Sequence, residues 1–285
     1  MRTILKSVWL GLSLLAPALS LRSEITELLP HQLPGITFHE ETRTNPPTRF
    51  FVAEVDLANP RLHLRVAPGG PDPDGPGQWE TTLMEPTRIA DREKFDLVIN
   101  GDFFVARNIK DAEGAKAGYR ADQWALTEGP AVTDGHVWSA STNAKPCLVV
   151  HTNGTVAIET VSQPTPDDWQ VIGGNPILVQ DGQVIPHKNI VHHPRTVVGL
   201  DATGKKLIIL LVDGRKPGIA VGMSYDELGL EMQRLGCRVA LNLDGGGSSV
   251  LAARDPATGK MRILNEPTDG HERAVADVLG ITLDR

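Results

Sequence analysis

Tight-turn dipeptides recur between short apolar runs along this chain, and they constrain its fold more than any other feature. Asn-Gly and Asp-Gly between apolar runs are the strongest short-range signal for a β-hairpin, because glycine adopts the positive φ angles that such turns need. The chain is therefore predicted to consist mainly of antiparallel strands. The predicted hairpins join 148–150 to 155–158, 177–179 to 183–185 and 197–200 to 207–212, with a further hairpin around 255–260.

Two helices interrupt the strands. Pro86 is tolerated at the start of a helix, and a short helix is predicted over 86–94. Ser224 and Glu227 form a capping box, in which each side chain binds a free backbone N–H group of the other residue. Apolar residues then recur at helical spacing up to Gly236, which ends the helix.

These elements predict an α+β fold class, with packed, largely antiparallel or mixed β-sheets and a few flanking helices. About 265 residues remain after the first twenty, and no Ser/Gly tract, charge block or low-complexity run interrupts them. The sequence contains no internal repeat. A single domain is therefore expected.

The N-terminus predicts the compartment. Arg2 and Lys6 precede an apolar run over 8–15, and small residues at 16–18 or 18–20 fit a signal peptidase site. This run is about half of the roughly 20 residues that cross a bilayer, so residues 1–18 are predicted to be a cleavable signal peptide. A buried N-terminal helix is the alternative. The mature protein is expected to be exported, periplasmic or secreted, with no membrane span.

The charge balance excludes some partners. The formal net charge is −7 at pH 7, and it becomes −9 without Arg2 and Lys6. A protein this acidic has no overall field that attracts nucleic acid or an anionic surface, so an anionic substrate requires a few local arginines. Cys147 and Cys237 fit either a disulfide in an oxidising compartment or two buried thiols.

The densest polar cluster follows an apolar run at 239–243. Asn242 and Asp244 lie two residues apart in a predicted strand, so their side chains are expected on one face. The three glycines at 245–247 let a ligand approach bare backbone N–H groups, and Ser248 adds a hydroxyl. A glycine-rich hairpin loop with a capping Asp is the structural alternative.

Four more polar clusters lie beside predicted strands. A carboxylate stands near a guanidinium at 213–215, and this pair also fits a surface ion pair or a turn. Two histidines at 192–193 precede an arginine, but adjacent strand residues point to opposite faces and no ligand stands at a familiar spacing, which argues against a metal site. The charged residues at 265–273 also fit an ordinary loop. The candidate residues of these clusters are Asn100, Asp102, Arg195, Asp213, Arg215, Glu272 and Arg273.

Several familiar catalytic motifs are missing from the sequence. It has no P-loop, dinucleotide fingerprint, CxxC pair, His-Glu-x-x-His or Gly-x-Ser-x-Gly. This argues against a kinase, a dehydrogenase, a zincin and a lipase-type esterase. Carboxylates, arginines and amides at strand ends remain, and these suit glycosyl or phosphate chemistry.

An ordered series of segments resembles the phosphodiester glycosidase family, and the resemblance covers roughly residues 95–282. A core over 95–285 is expected from it, with 19–94 as a poorly matched N-terminal part of the domain. Family members often carry a small residue where Asp102 stands and a proline where Ala274 stands, so the role of Asp102 is open. The matching segments are 98–104, 172–179, 194–196, 211–215, 222–228, 240–249 and 272–276.

The resemblance implies hydrolysis of a sugar-1-phosphodiester, with an N-acetylglucosamine-type sugar. Arg195 and Arg215 are expected to bind the phosphate, since guanidinium grips two oxygens at once. Asp244, or else Asp213, is expected to stabilise the oxocarbenium-like state or activate water, with Glu272 as a reserve acid/base and Arg273 as its local partner. The remaining expected substrate-binding residues are Asn100, Asp102, Gly174, Asn242, Gly245, Gly246 and Ser248.

Three alternatives stay open at this point. One alternative is a hydrolase of an α-glycoside, and another is a hydrolase that cuts a phosphodiester on the phosphorus side. The third is a non-catalytic sugar- or cell-wall-binding module on the same fold. No cofactor is required by the residues. A divalent cation such as calcium is not excluded, because Asp213 and Asp244 offer ligands for a hard cation.

Overall fold

The structure is a computed structural model that describes residues 21–24, 33–108, 118–140 and 143–284, with only the backbone of 21–24. The predicted signal peptide at 1–18 lies outside the described residues. Within them, no helix is both long and apolar enough to span a membrane. All paired strands within these ranges are antiparallel, so the hairpin signals in the sequence gave the correct strand direction.

Within the described residues, four sheets make up the fold, and two α-helices lie against them. Numbered along the chain and given in spatial order, the largest sheet contains β1 (Leu21–Glu24), β2 (Ile36–Thr44), β3 (Pro47–Asp56), β17 (Lys206–Val212), β16 (Arg195–Asp201), β18 (Cys237–Asn242), β14 (Ile177–Gln180) and β15 (Gln183–Val184). The second contains β10 (His136–Ser139), β9 (Ala131–Thr133), β13 (Asp168–Gly173), β11 (Lys145–His151) and β12 (Val156–Val161). The third contains β20 (Met261–Ile263), β19 (Leu251–Arg254), β6 (Leu97–Asn100), β21 (Asp277–Leu283) and β4 (Leu62–Pro68). The smallest contains β5 (Thr81–Thr82), β8 (Trp124–Thr127) and β7 (Phe104–Ala106), and the helices are α1 (Pro86–Glu93) and α2 (Tyr225–Arg234).

The fold is dominated by β-structure rather than α+β as the sequence predicted. Strands take up 46% of the residues, and the described part of the chain contains two α-helices. The long apolar runs explain this balance, because the central strands of the largest sheet are covered on both faces. Leu207, Ile209 and Leu211 of β17 enter the main core, whereas the alternate residues of that strand enter a second core against α2. A strand buried on both faces has an unbroken apolar sequence.

Both helices form where the sequence predicted them. The Ser224 hydroxyl accepts the Glu227 N–H group at 3.3 Å, and the Glu227 carboxylate accepts the Ser224 N–H group at 2.8 Å. This confirms the capping box of α2.

The strands of the N-terminal part pair with strands of the later part, β3 with β17 and β4 with β21. Cys147 and Cys237 are buried free thiols in different sheets.

Candidate active site

The glycine-rich turn after β18 lies where three chain segments meet. The Asp244 N–H group donates to the Gly101 carbonyl at 3.0 Å, and the Asn100 Nδ2 donates to the Asp244 carbonyl at 2.7 Å. On the other side, the Gly246 N–H group donates to the Pro194 carbonyl at 2.9 Å. The turn is therefore held between the end of β6 and the start of β16, and the strand-end clusters at 100–102, 194–195 and 242–248 form one site.

Each of the three glycines is covered by a different neighbour, and two of these neighbours are arginines. A Cβ atom on Gly245 would lie 2.7 Å from the Pro194 carbonyl oxygen, and one on Gly246 would lie 3.0 Å from Arg215 Nη2. A Cβ atom on Gly247 would overlap Arg273 Nη2. The absence of side chains at 245–247 thus lets guanidinium groups from distant parts of the chain lie directly on the backbone.

Arg195 is buried, and no carboxylate of the described residues forms an ion pair with it. Its side chain is 6% exposed, and its Nε donates to the Met223 carbonyl at 3.4 Å. Its guanidinium carbon lies 4.2 Å from the centre of the Tyr225 ring. Burial lowers the pKa of Arg195, and the nearby charge of Arg215 acts in the same direction. A buried guanidinium that no carboxylate neutralises by direct contact can gain hydrogen bonds from an anionic ligand.

Arg215 and His193 complete the cationic side of the site. Arg215 is exposed and has a φ angle of 60°, in the left-handed region that non-glycine residues seldom adopt. His193 is half-buried, and burial lowers its pKa, with the charges of Arg195 and Arg215 adding to the effect. His193 is therefore a neutral imidazole at neutral pH. From the sequence, His193 was considered only as a possible metal ligand and was not assigned to a phosphate site.

Asp244 is the half-buried carboxylate of the glycine turn. Its Oδ1 accepts the Gly245 N–H group at 2.7 Å. Burial raises the pKa of Asp244 to about 6, although this hydrogen bond, Ser248 and the charge of Arg273 favour the ionised form. The Ser248 hydroxyl is buried and makes no hydrogen bond of good geometry within the described residues. Asp244 thus changes its protonation state near neutral pH.

Two more buried carboxylates lie beside Asp244. Asp102 accepts the Phe103 N–H group at 2.7 Å and the Gly129 N–H group at 2.6 Å, one on each oxygen. Burial raises the pKa of Asp102 to about 7, and Glu128 and Asp244 add to this effect. Asp277, which the sequence did not single out, accepts the Asp102 N–H group at 2.9 Å. Asp277 carries no motif that would have identified it.

Three of the predicted substrate-binding residues are framework residues in this structure. Asn100 is fully buried and its Oδ1 accepts the Thr196 hydroxyl at 2.7 Å. Asn242, also fully buried, donates from Nδ2 to the Asn175 carbonyl at 2.7 Å. A Cβ atom on Gly174 would lie 2.6 Å from the Asn242 carbonyl oxygen, so this glycine allows two segments to pack closely.

The backbone amides of the turn are already bonded inside the protein. The Gly245 N–H group donates to Asp244 and the Gly246 N–H group to Pro194. The predicted role of these two amides in holding a ligand oxygen therefore does not fit this conformation. The strand β18 also ends at Asn242, so Asp244 lies beyond it and does not share a strand face with Asn242.

Asp213 is bound to the loop that follows β20. It is 2% exposed, and its Oδ1 accepts the Glu266 N–H group at 3.1 Å and the Asn265 Nδ2 at 3.3 Å. Arg49 Nη1 lies 3.7 Å from its Oδ2, so its ionic partner is Arg49 rather than Arg215. Burial raises the pKa of Asp213 to about 6.

Glu272 and Arg273 point to different partners. The Glu272 carboxylate accepts the Thr87 N–H group at 2.9 Å and also the Thr87 hydroxyl, in the first turn of α1. Arg273 binds Asp269 Oδ2 at 2.8 Å and covers the ring of Tyr119 at 4.8 Å. The expected local pairing of Glu272 with Arg273 is therefore wrong.

One group of side chains offers three possible metal ligands within the described residues. His151, Glu159 and Asp168 come from three neighbouring strands of the second sheet. The two ring nitrogens of His151 face different carboxylates, with Nδ1 3.3 Å from Asp168 and Nε2 3.6 Å from Glu159. Contacts of the two ring nitrogens with carboxylate oxygens account for this arrangement.

Fold and site together define a predominantly antiparallel β protein whose candidate site is built from carboxylates and guanidinium groups. Residues 93–282 match the model of the phosphodiester glycosidase family. The chain belongs to the phosphodiester glycosidase family, which is a family of hydrolases. No curated protein sequence matches the chain significantly.

Solved structures share this fold. The catalytic domain of zebrafish N-acetylglucosamine-1-phosphodiester alpha-N-acetylglucosaminidase, auto-inhibited by its pro-peptide, superposes with a TM-score of 0.61 at 19% identity, covering 93% of this chain and 88% of that chain. A protein of Burkholderia pseudomallei K96243 gives a TM-score of 0.58 at 16% identity, covering 83% of this chain and 74% of that chain. At these identities the likeness shows the fold alone.

Proposed function

We propose that this protein is an exported hydrolase that cleaves the anomeric carbon–oxygen bond of a sugar-1-phosphodiester, with an N-acetylglucosamine-type sugar. One observation carries the proposal. Arg195 and Arg215 have no carboxylate partner within the described part of the chain, and both lie against the turn that follows Asp244. A phosphodiester places a single negative charge next to the anomeric carbon, which is the ligand that such a site requires.

The two guanidinium groups would bind the phosphodiester oxygens. Arg195 is held by Tyr225 and Met223, so its fork is oriented before a ligand arrives. A planar guanidinium forms two parallel hydrogen bonds with phosphate, and the loss of side-chain entropy is small when the fork is already fixed. Arg215 is exposed at the outer edge of the turn, where it would contact the same phosphate or the group beyond it.

Asp244 would act at the anomeric carbon. The ionised carboxylate would either attack the anomeric carbon or take a proton from the attacking water molecule. In both cases its charge would stabilise the oxocarbenium-like transition state. The leaving group is a phosphate monoester, which leaves readily without a strong general acid. The electron pair of the broken bond then passes to a phosphate oxygen beside Arg195, where the developing charge is stabilised. His193, neutral between two arginines, would donate a hydrogen bond to the same phosphate.

The test is hydrolysis of an N-acetylglucosamine-1-phosphodiester by the mature protein in H₂¹⁸O, with products identified by mass. Free sugar and a phosphate monoester without ¹⁸O would support cleavage at the anomeric carbon. Label in the phosphate would mean that water attacks phosphorus, and the proposed role of Asp244 would be wrong. Tight binding of the diester without turnover would favour a binding module.

Matched variants assign the reaction to the site. Asp244→Asn should lower kcat by at least about a thousandfold, as loss of a catalytic carboxylate does. Asp181→Asn is the control, since Asp181 is an exposed carboxylate that pairs with Arg238 at 2.8 Å. Equal activity of both variants would remove Asp244 from the mechanism. The proposal requires no metal, so added chelator should leave kcat unchanged.

A further inference from the structure

Asp277 is a fully buried carboxyl group at the start of β21, and it holds both amides of the turn that follows β6. Its Oδ1 accepts the Asp102 N–H group at 2.9 Å, and its main-chain carbonyl accepts the Gly101 N–H group at 3.0 Å. A Cβ atom on Gly101 would overlap Asp277 Oδ1, so the carboxyl group packs directly against this backbone. The turn cannot change its orientation unless Asp277 moves.

The same peptide group reaches the backbone of Asp244. The Gly101 carbonyl and the Asp102 N–H group belong to one peptide unit. Its N–H end binds the Asp277 carboxyl group, and its C=O end accepts the Asp244 N–H group at 3.0 Å. Asp277 and Asp244 are therefore bound to opposite ends of a single planar peptide.

We propose that Asp277 is a positioning residue for Asp244, which it holds in place through the peptide between Gly101 and Asp102. The inference rests on the proposed function, in which Asp244 acts at the anomeric carbon. A rotation of this peptide would move its carbonyl away from the Asp244 N–H group. Displacement of a reacting group by about 1 Å can cost on the order of 100-fold in rate.

Asp277 performs this role as a neutral acid. Its Oδ2 is buried and has no hydrogen-bond partner within the described residues, whereas both oxygens of Asp102 accept N–H groups. The proton of this pair therefore resides on Asp277 and the charge on Asp102. Burial raises the pKa of Asp277 well above its ordinary value, and the carboxylates of Asp102 and Asp244 that face it add to the effect. An amide at position 277 supplies the same neutral acceptor oxygen.

The test compares Asp277→Asn and Asp277→Ala with Asp96→Asn. Asp96 is a buried carboxyl group at the opposite end of the same strand pair, where its Oδ2 accepts the Leu283 N–H group at 2.8 Å. In Asp277→Ala, kcat on the sugar-1-phosphodiester should fall about 10- to 100-fold with KM little changed. Asp277→Asn should restore most of that loss. Asp96→Asn should keep the wild-type kcat.

Amide hydrogen exchange provides a readout that does not depend on turnover. The Asp244 amide should exchange at least about tenfold faster in Asp277→Ala than in wild type, and at the wild-type rate in Asp277→Asn and Asp96→Asn. If wild type hydrolyses no sugar-1-phosphodiester, the proposed function fails and this exchange difference alone decides the positioning role. Unchanged exchange in a folded Asp277→Ala would overturn the inference.

A second readout covers the case in which Asp277→Ala does not fold. Wild-type kcat should decline on the alkaline side as Asp277 ionises, and Asp277→Asn should lack that decline, because it has no group to ionise. Identical alkaline limbs in the two proteins would overturn the neutral-acid role, as would an Asp277→Asn variant that folds but has lost activity.

Discussion

The guanidinium group of Arg195 lies over the ring of Tyr225, with its central carbon 4.2 Å from the ring centre. Tyr225 is the first residue of α2, and the capping box of Ser224 and Glu227 fixes this end of the helix. The cap therefore sets the place of the ring, and the ring sets the plane of the guanidinium fork. A local helix signal thus determines the geometry of the candidate phosphate site.

Replacement of Arg195 by lysine should weaken substrate binding much more than it changes the chemical step. Lysine keeps the charge but loses the stacked, planar fork, and a loss of about 2 kcal/mol corresponds to roughly a 30-fold rise in KM. Arg238→Lys is the control, since Arg238 is exposed and pairs with Asp181 outside the site. Steady-state kinetics on the phosphodiester measure both. An unchanged KM in Arg195→Lys would place the phosphate elsewhere.

The pH dependence of kcat/KM should follow the ionisation of Asp244. Burial raises the pKa of this carboxyl group to about 6, and the proposed mechanism uses its ionised form. The rate should therefore rise with pH, reach half of its plateau near pH 6, and lose this dependence in Asp244→Asn. Measurements between about pH 4.5 and 8.5 cover the range. A rate that falls as pH rises through 6 would mean that protonated Asp244 is the active form.

Local signals in the sequence predicted much of the fold. A hairpin or a capping box depends on residues three to ten positions apart, so Asn153-Gly154 and Ser224 with Glu227 are sufficient to predict their elements. The prediction of the fold class was less accurate. A strand buried on both faces does not alternate between apolar and polar residues, so its sequence does not show how many sheets cover it. The strands around 207–212 show this.

The site was only partly predictable, for a physical reason. Three of the predicted residues lie at the ends of apolar strands, namely Arg195, Arg215 and Asp244. Their proximity was predictable, because strand ends meet at one edge of a sheet. Asp277 binds a backbone amide 175 positions away in the chain, and the short apolar run around it is that of an ordinary buried strand. Asn242 was expected to face the site, but its side chain turns to the carbonyl of Asn175 instead.

Asp277→Asn should change how stability depends on pH. A carboxyl group whose pKa is raised by folding binds its proton more tightly in the folded state than in the unfolded chain. Its contribution to the free energy of unfolding is complete below the unfolded pKa of about 4, and it is lost as pH rises through the folded value. Asp277 is such a group, since burial raises its pKa. The Tm of Asp277→Asn should therefore rise relative to wild type as pH increases from 4 upward. A difference in Tm that does not change with pH would contradict the inference that Asp277 is a neutral acid in the folded protein.

Glu272 should matter for stability rather than for the chemical step. Its carboxylate binds the Thr87 N–H group in the first turn of α1, and Glu85 at the N-cap position makes no side-chain cap. Glu272→Ala should lower the free energy of unfolding by about 1 kcal/mol, as loss of a cap does, with kcat little changed. Thermal unfolding and kinetics on the same preparation test both parts. A large loss of kcat without a loss of stability would restore Glu272 as an acid/base candidate.

Asp213 and Asp244 should respond in opposite ways to the same substitution. Asp213 accepts N–H groups from Glu266 and Asn265 and lies near Arg49, so its carboxylate joins the end of β17 to the loop that leads to Arg273. Asp213→Asn keeps Oδ1 but replaces Oδ2, which lies 3.7 Å from Arg49 Nη1 and 3.3 Å from the Glu266 nitrogen, by an N–H donor, and it should cost about 1–3 kcal/mol of stability.

Asp244→Asn should lose kcat without lowering the Tm, because within the described residues the carboxyl group of Asp244 accepts only the neighbouring Gly245 N–H group, and the amide keeps that acceptor oxygen. Thermal unfolding and kcat, measured for both variants at pH 7, therefore separate the structural carboxylate from the reacting one. If Asp213→Asn keeps its Tm and loses kcat as completely as Asp244→Asn does, Asp213 is the reacting carboxylate. The proposed phosphate site would then need to lie next to the 265–266 loop rather than on the glycine turn.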